Sequence, residues 1–456
     1  MCILLWTLPD SNHPRFKFAF ASNRDEFMAR KASRAAFWDL NSILKRASLP
    51  SESLAGSPEA PSFGLQSNDT AVGILSGQDL QPSQAENYTI KETEMDAVTE
   101  EERITMTLLT NDVPGTWLGI TTHGDLVALT NYRETMAYMA QTRGPKLSRG
   151  KVCGEYLITM AAAHFGSNSD LSKNGSLAED RAEQWIRKRG VGWEDEFEGL
   201  NLLVVQNSGD QQCVGGNREG SGLSIFKKKQ NTANENEAAA RNKRVISPGS
   251  VVGVSNSVFS RPWTKVEIGV GALEKVLNDS LTLFGTGRHA SFQSQSRVDS
   301  QPTSPATPGP IVDGQPLDDD TKELAWLVVE MLTLLRVNTK PYPKEGLELL
   351  SALMGLRERV FIPRITMGSE YGTRSSTVVL FGRDSRLAVY VEKIWYGPID
   401  ETTGERVEFA ADSAEGLIWW QGYVGQPKEE WKCIEGQELE NLIRIAKGVQ
   451  QVKMHS

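Results

Sequence analysis

Histidine and cysteine are both scarce in this chain. Its 456 residues hold five histidines and four cysteines. Cys2, Cys153, Cys213 and Cys433 lie far apart, and no CxxC pair occurs. That spacing argues against a disulfide framework and against a structural zinc site, and it fits a reducing compartment. The histidines form neither HExxH nor CxxCH. No metal and no cofactor is expected. Clustered positive charge is missing too: the formal net charge is -9, and Lys227-Lys228-Lys229 is the nearest thing to a basic run. Nucleic acid is therefore not an expected partner, because phosphate binding needs a concentrated basic surface. Long apolar runs are absent. Residues 324–335 are interrupted by Glu330 and fall short of the ~20 residues that span a bilayer. Residues 3–8 are apolar but have no basic residue before them, so no secretory leader and no transmembrane segment is expected.

What remains is ordinary globular composition, 39% hydrophobic and 23% charged. Apolar residues 2–8, turn-rich residues 9–14 and the alternation of Phe16, Phe18 and Phe20 predict a β-hairpin. Strands are expected at residues 117–121 and 126–130, around His123-Gly124, and again at 200–205 and 251–254. Another hairpin is expected at 377–381 and 387–391. Helices are expected over 150–165, from about Ser260 with Pro262 in the first turn, over 321–337 and 344–356, and near 437–447. Hairpins outnumber βα alternations, which predicts α+β architecture with antiparallel sheets covered by helices. Ser/Pro-rich and acidic stretches mark insertions at about 45–111, 228–244 and 286–320 in a single domain over 1–456. A short apolar piece, Ile74-Leu75-Ser76-Gly77, interrupts the first of them.

The front of the chain carries the chemistry. Pairing Leu8 with Phe16 sets Cys2 opposite Ser22, beside Asn23-Arg24-Asp25-Glu26. Methionine is removed before small residues, and cysteine is small. Cys2 would then carry a thiol and a free α-amine, with ordinary pKa values of about 8.5 and about 7.7–8.0. The amine can take the proton of its own thiol. Arg24 would favour the thiolate, and Asp25 would hold the amine. Asn131 and Asn256 each follow an expected strand, where amide donors can meet an oxyanion. Residues Trp117, Trp263, Phe37 and Trp38 are expected in the core.

Met1-Cys2, Asn23-Arg24-Asp25-Glu26-Phe27 and Phe37-Trp38 resemble the NRDE family, also called the transport and Golgi organisation protein 2 family. So do Gly115-Thr116-Trp117-Leu118-Gly119-Ile120, Ala128-Leu129-Thr130-Asn131-Tyr132-Arg133 and Ser148-Arg149-Gly150. Further along come Gly199-Leu200-Asn201-Leu202-Leu203, Gly253-Val254-Ser255-Asn256-Ser257, Pro262-Trp263 and Tyr371-Gly372-Thr373-Arg374. Each block is weak singly. In order, they cover nearly the whole chain outside the insertions.

That family is similar to N-terminal-nucleophile hydrolases of the choloylglycine hydrolase type. The resemblance implies a four-layer αββα sandwich. It implies Cys2 as nucleophile, Arg24 and Asp25 as its neighbours, Asn131 and Asn256 as polar groups at the oxyanion, and Arg374 as a late active-site arginine. The spacing of Arg24 and Asp25 departs from the acylases, which separate the two. Asn23 and Tyr132, beside these residues in the motifs, are candidate binding residues. The implied activity is hydrolysis or acyl transfer at an amide or thioester, on a small acyl or amide ligand. The alternative implied by the family name is a non-catalytic factor in Golgi organisation and protein secretion that handles lipid or haem. Cytoplasmic, Golgi-associated and mitochondrial placement stay open, as does oligomeric state.

Overall fold

The computed structural model describes residues 2–11, 13–40, 43, 72–80, 113–132, 146–165, 181–189, 197–218, 223–228, 250–285, 318–337, 355–366, 369–399, 406–410 and 412–455. Two antiparallel sheets dominate. The first combines β1 (Ile3–Thr7), β2 (Phe16–Phe27), β10 (Val251–Val254), β11 (Ile365–Thr366), β12 (Glu370–Gly382), β13 (Leu387–Ile394), β16 (Leu417–Tyr423) and β17 (Lys432–Ile434). Its order is β10-β1-β2-β12-β13-β16-β17, with β11 beside β12. The second runs in chain order through β3 (Ala36–Phe37), β4 (Ile74–Ser76), β5 (Leu118–Thr121), β6 (Leu126–Asn131), β7 (Leu200–Gln206), β8 (Gln211–Gly216) and β9 (Leu223–Lys227). A small hairpin, β14 (Tyr396–Ile399) with β15 (Arg406–Glu408), stands apart. The described helices are α1 (Gly150–Phe165), α2 (Arg181–Arg189), α3 (Thr264–Phe284), α4 (Asp319–Leu334) and α5 (Gly436–His455).

The layers follow from strand alternation, in which successive side chains face opposite sides of a sheet. In β1 and β2, Leu4, Trp6, Phe18 and Phe20 point towards the second sheet and pack on Leu118, Ile120, Leu203 and Val205. Their neighbours Ile3, Leu5, Ala19 and Ala21 point the other way, onto α3, α4 and α5 through Leu273, Leu277, Trp326 and Leu442. On the far side, Val127, Leu129, Leu202 and Val204 pack on Tyr156, Leu157, Trp185 and Ile186 of α1 and α2. The order is helices, sheet, sheet, helices, and it meets the αββα expectation. Burying one such side chain contributes roughly 1.5–3 kcal/mol.

The elements expected at 117–121, 150–165 and 251–254 appear at 118–121, 150–165 and 251–254. The β5–β6 turn needs Gly124, whose φ is 84°. Three readings shift. The opening hairpin pairs Ile3 with Asn23 and Leu4 with Ser22, two residues from the expected register. The polar run Ser22–Glu26 does not end the strand but continues β2, with β1 on one edge and β12 on the other. α3 starts at Thr264 rather than near Ser260. Ile74–Ser76 is a buried strand between β3 and β5, inside the stretch read as an insertion. Of that stretch, 45–71 and 81–111 lie outside the described residues, as do 344–354 of the helix read at 344–356 and all of the insertions read at 228–244 and 286–320 except 228 and 318–320.

Candidate active site

Cys2 precedes β1 and is buried. The pairing of Ile3 with Asn23 and of Leu4 with Ser22 carries Cys2 towards Arg24. By alternation Cys2, Leu4, Ser22 and Arg24 face the second sheet. The Cys2 Sγ donates to the Asp25 carbonyl at 3.9 Å. The Arg24 guanidinium is buried and lies over the Trp117 ring, 3.8 Å from its centroid. Burial pushes the Arg24 pKa down, while Glu26, the Cys2 thiol and Asp79 oppose the shift. Trp117, expected purely in the core, is only half-buried, so it forms the floor under Arg24 as well as part of the wall.

Asp25 faces the helices. Its Oδ1 accepts from Thr373 Oγ1 at 2.6 Å, and its Oδ2 lies 3.9 Å from Lys265 Nζ. Asn23 points the same way. Its Nδ2 donates to the carbonyls of Leu335 and Val360, each at 2.8 Å, and its Oδ1 accepts from Ser376 Oγ. Asn23 thus ties β2 to the chain after α4 and to the segment before β11.

The two strand-end asparagines meet. Asn131 ends β6, and its carbonyl accepts from the Asn256 side-chain amide. Ser255, next to Asn256, donates through Oγ to the Cys2 carbonyl at 2.7 Å. Asn201 of β7 fixes that segment, donating through Nδ2 to the carbonyls of Ser255 at 2.8 Å and Ser257 at 2.9 Å. Thr130 Oγ1 donates to the Ser255 carbonyl at 2.6 Å. Gly253 lets β10 come this close: a Cβ there would sit 2.8 Å from Leu5 Cδ2 and 2.9 Å from the Leu4 carbonyl oxygen. The motif blocks contain Ser255, Asn201 and Thr130, but residue type alone did not mark them as site residues. Their partners come from other strands.

Arg374 is the extra residue of a bulge in β12, between Thr373 opposite Asp25 and Ser375 opposite Arg24. Bulges re-aim side chains beside sites. Its guanidinium donates to the Arg30 carbonyl, and burial followed by the Arg24 charge lowers its pKa. Tyr132 is half-buried, and its main-chain N–H donates to the Gly199 carbonyl at 2.7 Å. Arg149, half-buried before α1, pairs with Glu198 at 3.1 Å. Burial lowers its pKa, and the Cys2 thiol is among the groups opposing that shift. Sequence reading left Arg149 without a site role. Among the described residues no group of three or more His, Cys, Asp or Glu is placed to hold a metal ion, and no helix is long and apolar enough to cross a membrane.

The family profile described as "Transport and Golgi organisation 2" matches residues 1–51 and 86–397. The chain belongs to that family. A relative, the Transport and Golgi organization protein 2 homolog of Bos taurus, is 24% identical over 275 residues. The match takes in 59% of this chain and 62% of the bovine protein, so it spans less than two thirds of that relative. Among solved structures, a mutant of the conjugated bile acid hydrolase from Clostridium perfringens is 11% identical with a TM-score of 0.27, covering 96% of this chain and 98% of that one. A second variant of that hydrolase is 10% identical with a TM-score of 0.28, covering 92% and 97%. The layer architecture rests on strand pairing and on the three apolar cores, independently of these likenesses.

Proposed function

We propose that this member of the Transport and Golgi organisation 2 family is an N-terminal-cysteine hydrolase or acyltransferase acting on an amide or thioester. One observation carries the reading. The second residue of the chain is held by groups from β2 and from the end of β10: the Asp25 carbonyl at its sulfur, Ser255 at its carbonyl, and Arg24 and Asn256 beside them. A surface strand end needs no such enclosure.

The reaction is written for the chain after loss of Met1. The Cys2 α-amine takes the thiol proton, and the sulfur attacks the substrate carbonyl carbon. A C–S bond forms as the carbonyl π pair moves to oxygen. Asn256 carries two amide N–H bonds, one of them engaged by the Asn131 carbonyl, and the other suits the developing oxyanion. The pair returns, the C–N or C–S bond of the substrate breaks, and the α-ammonium delivers its proton to the departing amine or thiol. Water, or an acceptor nucleophile, then releases the acyl group from Cys2. Arg24 offers a positive charge to the thiolate.

A second reading has its own support. The Asn256 amide and Ser255 hydroxyl are both bonded within the protein, as in a ligand-holding factor that performs no turnover. The Golgi-organisation and secretion role carried by the family name belongs to this reading.

Two measurements separate them. Intact mass and the N-terminal peptide report whether Met1 is gone and whether Cys2 bears an acyl group. Cys2→Ala should abolish both turnover of amide or thioester probes and labelling by a thiol-directed electrophile. Unchanged turnover in that variant sinks the enzyme reading, and retained Met1 removes its base.

A further inference from the structure

Lys265 is out of place by ordinary rules. It sits in the first turn of α3, and its side chain is wholly buried. Burying an ammonium costs several kcal/mol even after relaxation. A helix N-terminus adds to that cost, because its partial charge is positive and welcomes anions instead. Stability alone would favour an apolar residue here.

What faces Lys265 is the back of the Cys2 site. Its Nζ lies 3.9 Å from Asp25 Oδ2. The other oxygen of Asp25 is held by Thr373 Oγ1 at 2.6 Å, and that hydroxyl accepts from the Ile362 N–H at 2.8 Å. The Asp25 carbonyl is the acceptor for the Cys2 thiol. Carboxylate, main chain and sulfur therefore form one short relay from the lysine to the nucleophile. Burial lowers the Lys265 pKa, and Asp25 first, then Cys2, oppose that shift. On the other side of Cys2, towards the second sheet, stand Arg24 of β2 and Arg149 before α1, with Glu26 acting on both; beside Lys265, the Arg357 carbonyl accepts from the Lys265 N–H at 3.2 Å. The Trp263 ring centroid lies 5.8 Å from Lys265 Nζ and 5.1 Å from the Arg357 guanidinium carbon.

We propose that Lys265 is a positioning residue for Cys2, fixing the Asp25 carboxylate behind the nucleophile and supplying a buried positive charge to its thiolate. This rests on the nucleophile reading above. It adds a residue from the helix layer to a site otherwise built from strand ends.

The test is the rate of Cys2 alkylation by iodoacetamide in the folded full chain, followed by peptide mass from pH 5.5 to 9. Cys2→Ala serves as the blank. Lys265→Met should slow Cys2 alkylation at pH 7 at least tenfold and move the profile to higher pH. Lys265→Arg should restore most of the rate. A Lys265→Met profile that superimposes on the parent overturns the inference. Should Lys265→Met lose its cooperative thermal transition, Thr373→Val carries the test. Freeing the Asp25 carboxylate should slow alkylation several-fold, and an unchanged profile there overturns the inference equally. An unreactive Cys2 in the parent sinks the nucleophile reading and this one with it. A reactive Cys2 indifferent to Lys265 sinks this one alone.

Discussion

Asn23 shows how far a residue's neighbours in sequence mislead about its job. It stands one position from Arg24, yet alternation sends the two side chains to opposite faces. Arg24 enters the site, and Asn23 locks three distant segments together through Leu335, Val360 and Ser376. Ser376 Oγ in turn accepts from Trp395 Nε1 at 2.8 Å. Asn23→Ala strands two buried carbonyls, at about 1–3 kcal/mol each before relaxation. We expect a loss of about 2–4 kcal/mol in urea unfolding, with the Cys2 alkylation rate of the folded protein little changed. Arg24→Lys should behave the other way. It keeps the charge but loses the planar stack on Trp117. Cys2 alkylation should slow while the urea midpoint moves little. Cys2, Arg24 and Asp25 were legible because residue type and proximity along one hairpin suffice to name them. Lys265, Ser255 and Asn201 were not, since an isolated lysine or serine has no pattern until the fold gives it a partner.

At the scale of elements, the register of β1 on β2 is the instructive case. The expected pairing is off by two residues. A slip of two preserves the face of every side chain, whereas a slip of one inverts it. Cys2 therefore stays on the Arg24 side under either pairing. The polar run Ser22–Glu26 continues β2 as a central strand, although charged residues seldom fill one. Here Thr373, Ser376 and Trp117 satisfy or cover those side chains. The β5–β6 turn gives a pH prediction. The His123 ring stacks on His164 at 4.2 Å between centroids. Burial, then the His164 charge, lower the His123 pKa from 6.5 to about 4. Because the folded value is the lower one, the unfolded chain binds more protons between these two pH values. That stability is present above pH 6.5 and is lost as pH falls through about 4. The thermal midpoint should fall from pH 7 to pH 4.5, and His123→Gln should flatten that slope. A variant slope equal to the parent's would contradict the assignment.

The whole molecule is held by apolar layers that meet at the sheets. Phe20 belongs to the core between them, beside Leu4, Leu118 and Tyr390. Phe20→Ala should cost about 3–5 kcal/mol. Because that core joins both sheets, the loss should appear in one transition. Tryptophan fluorescence and exposure of the wholly buried Cys153 and Cys213 to iodoacetamide should then report the same urea midpoint. Separate midpoints would mean that the sheets unfold independently.

By itself the sequence determined the periods of its strands and helices, the antiparallel order, and a cysteine, arginine and aspartate close along one hairpin. Those features are local, set by alternation and by a few residues of separation. Tertiary structure decided which groups surround that cysteine. Thr373 reaches Asp25 from 348 positions away, and Ser255 reaches Cys2 from 253. Only the packing of β10, β12 and α3 against β1 and β2 brings such groups together. Burial then sets their charge chemistry, since the cost of an ion depends on what replaces the water around it.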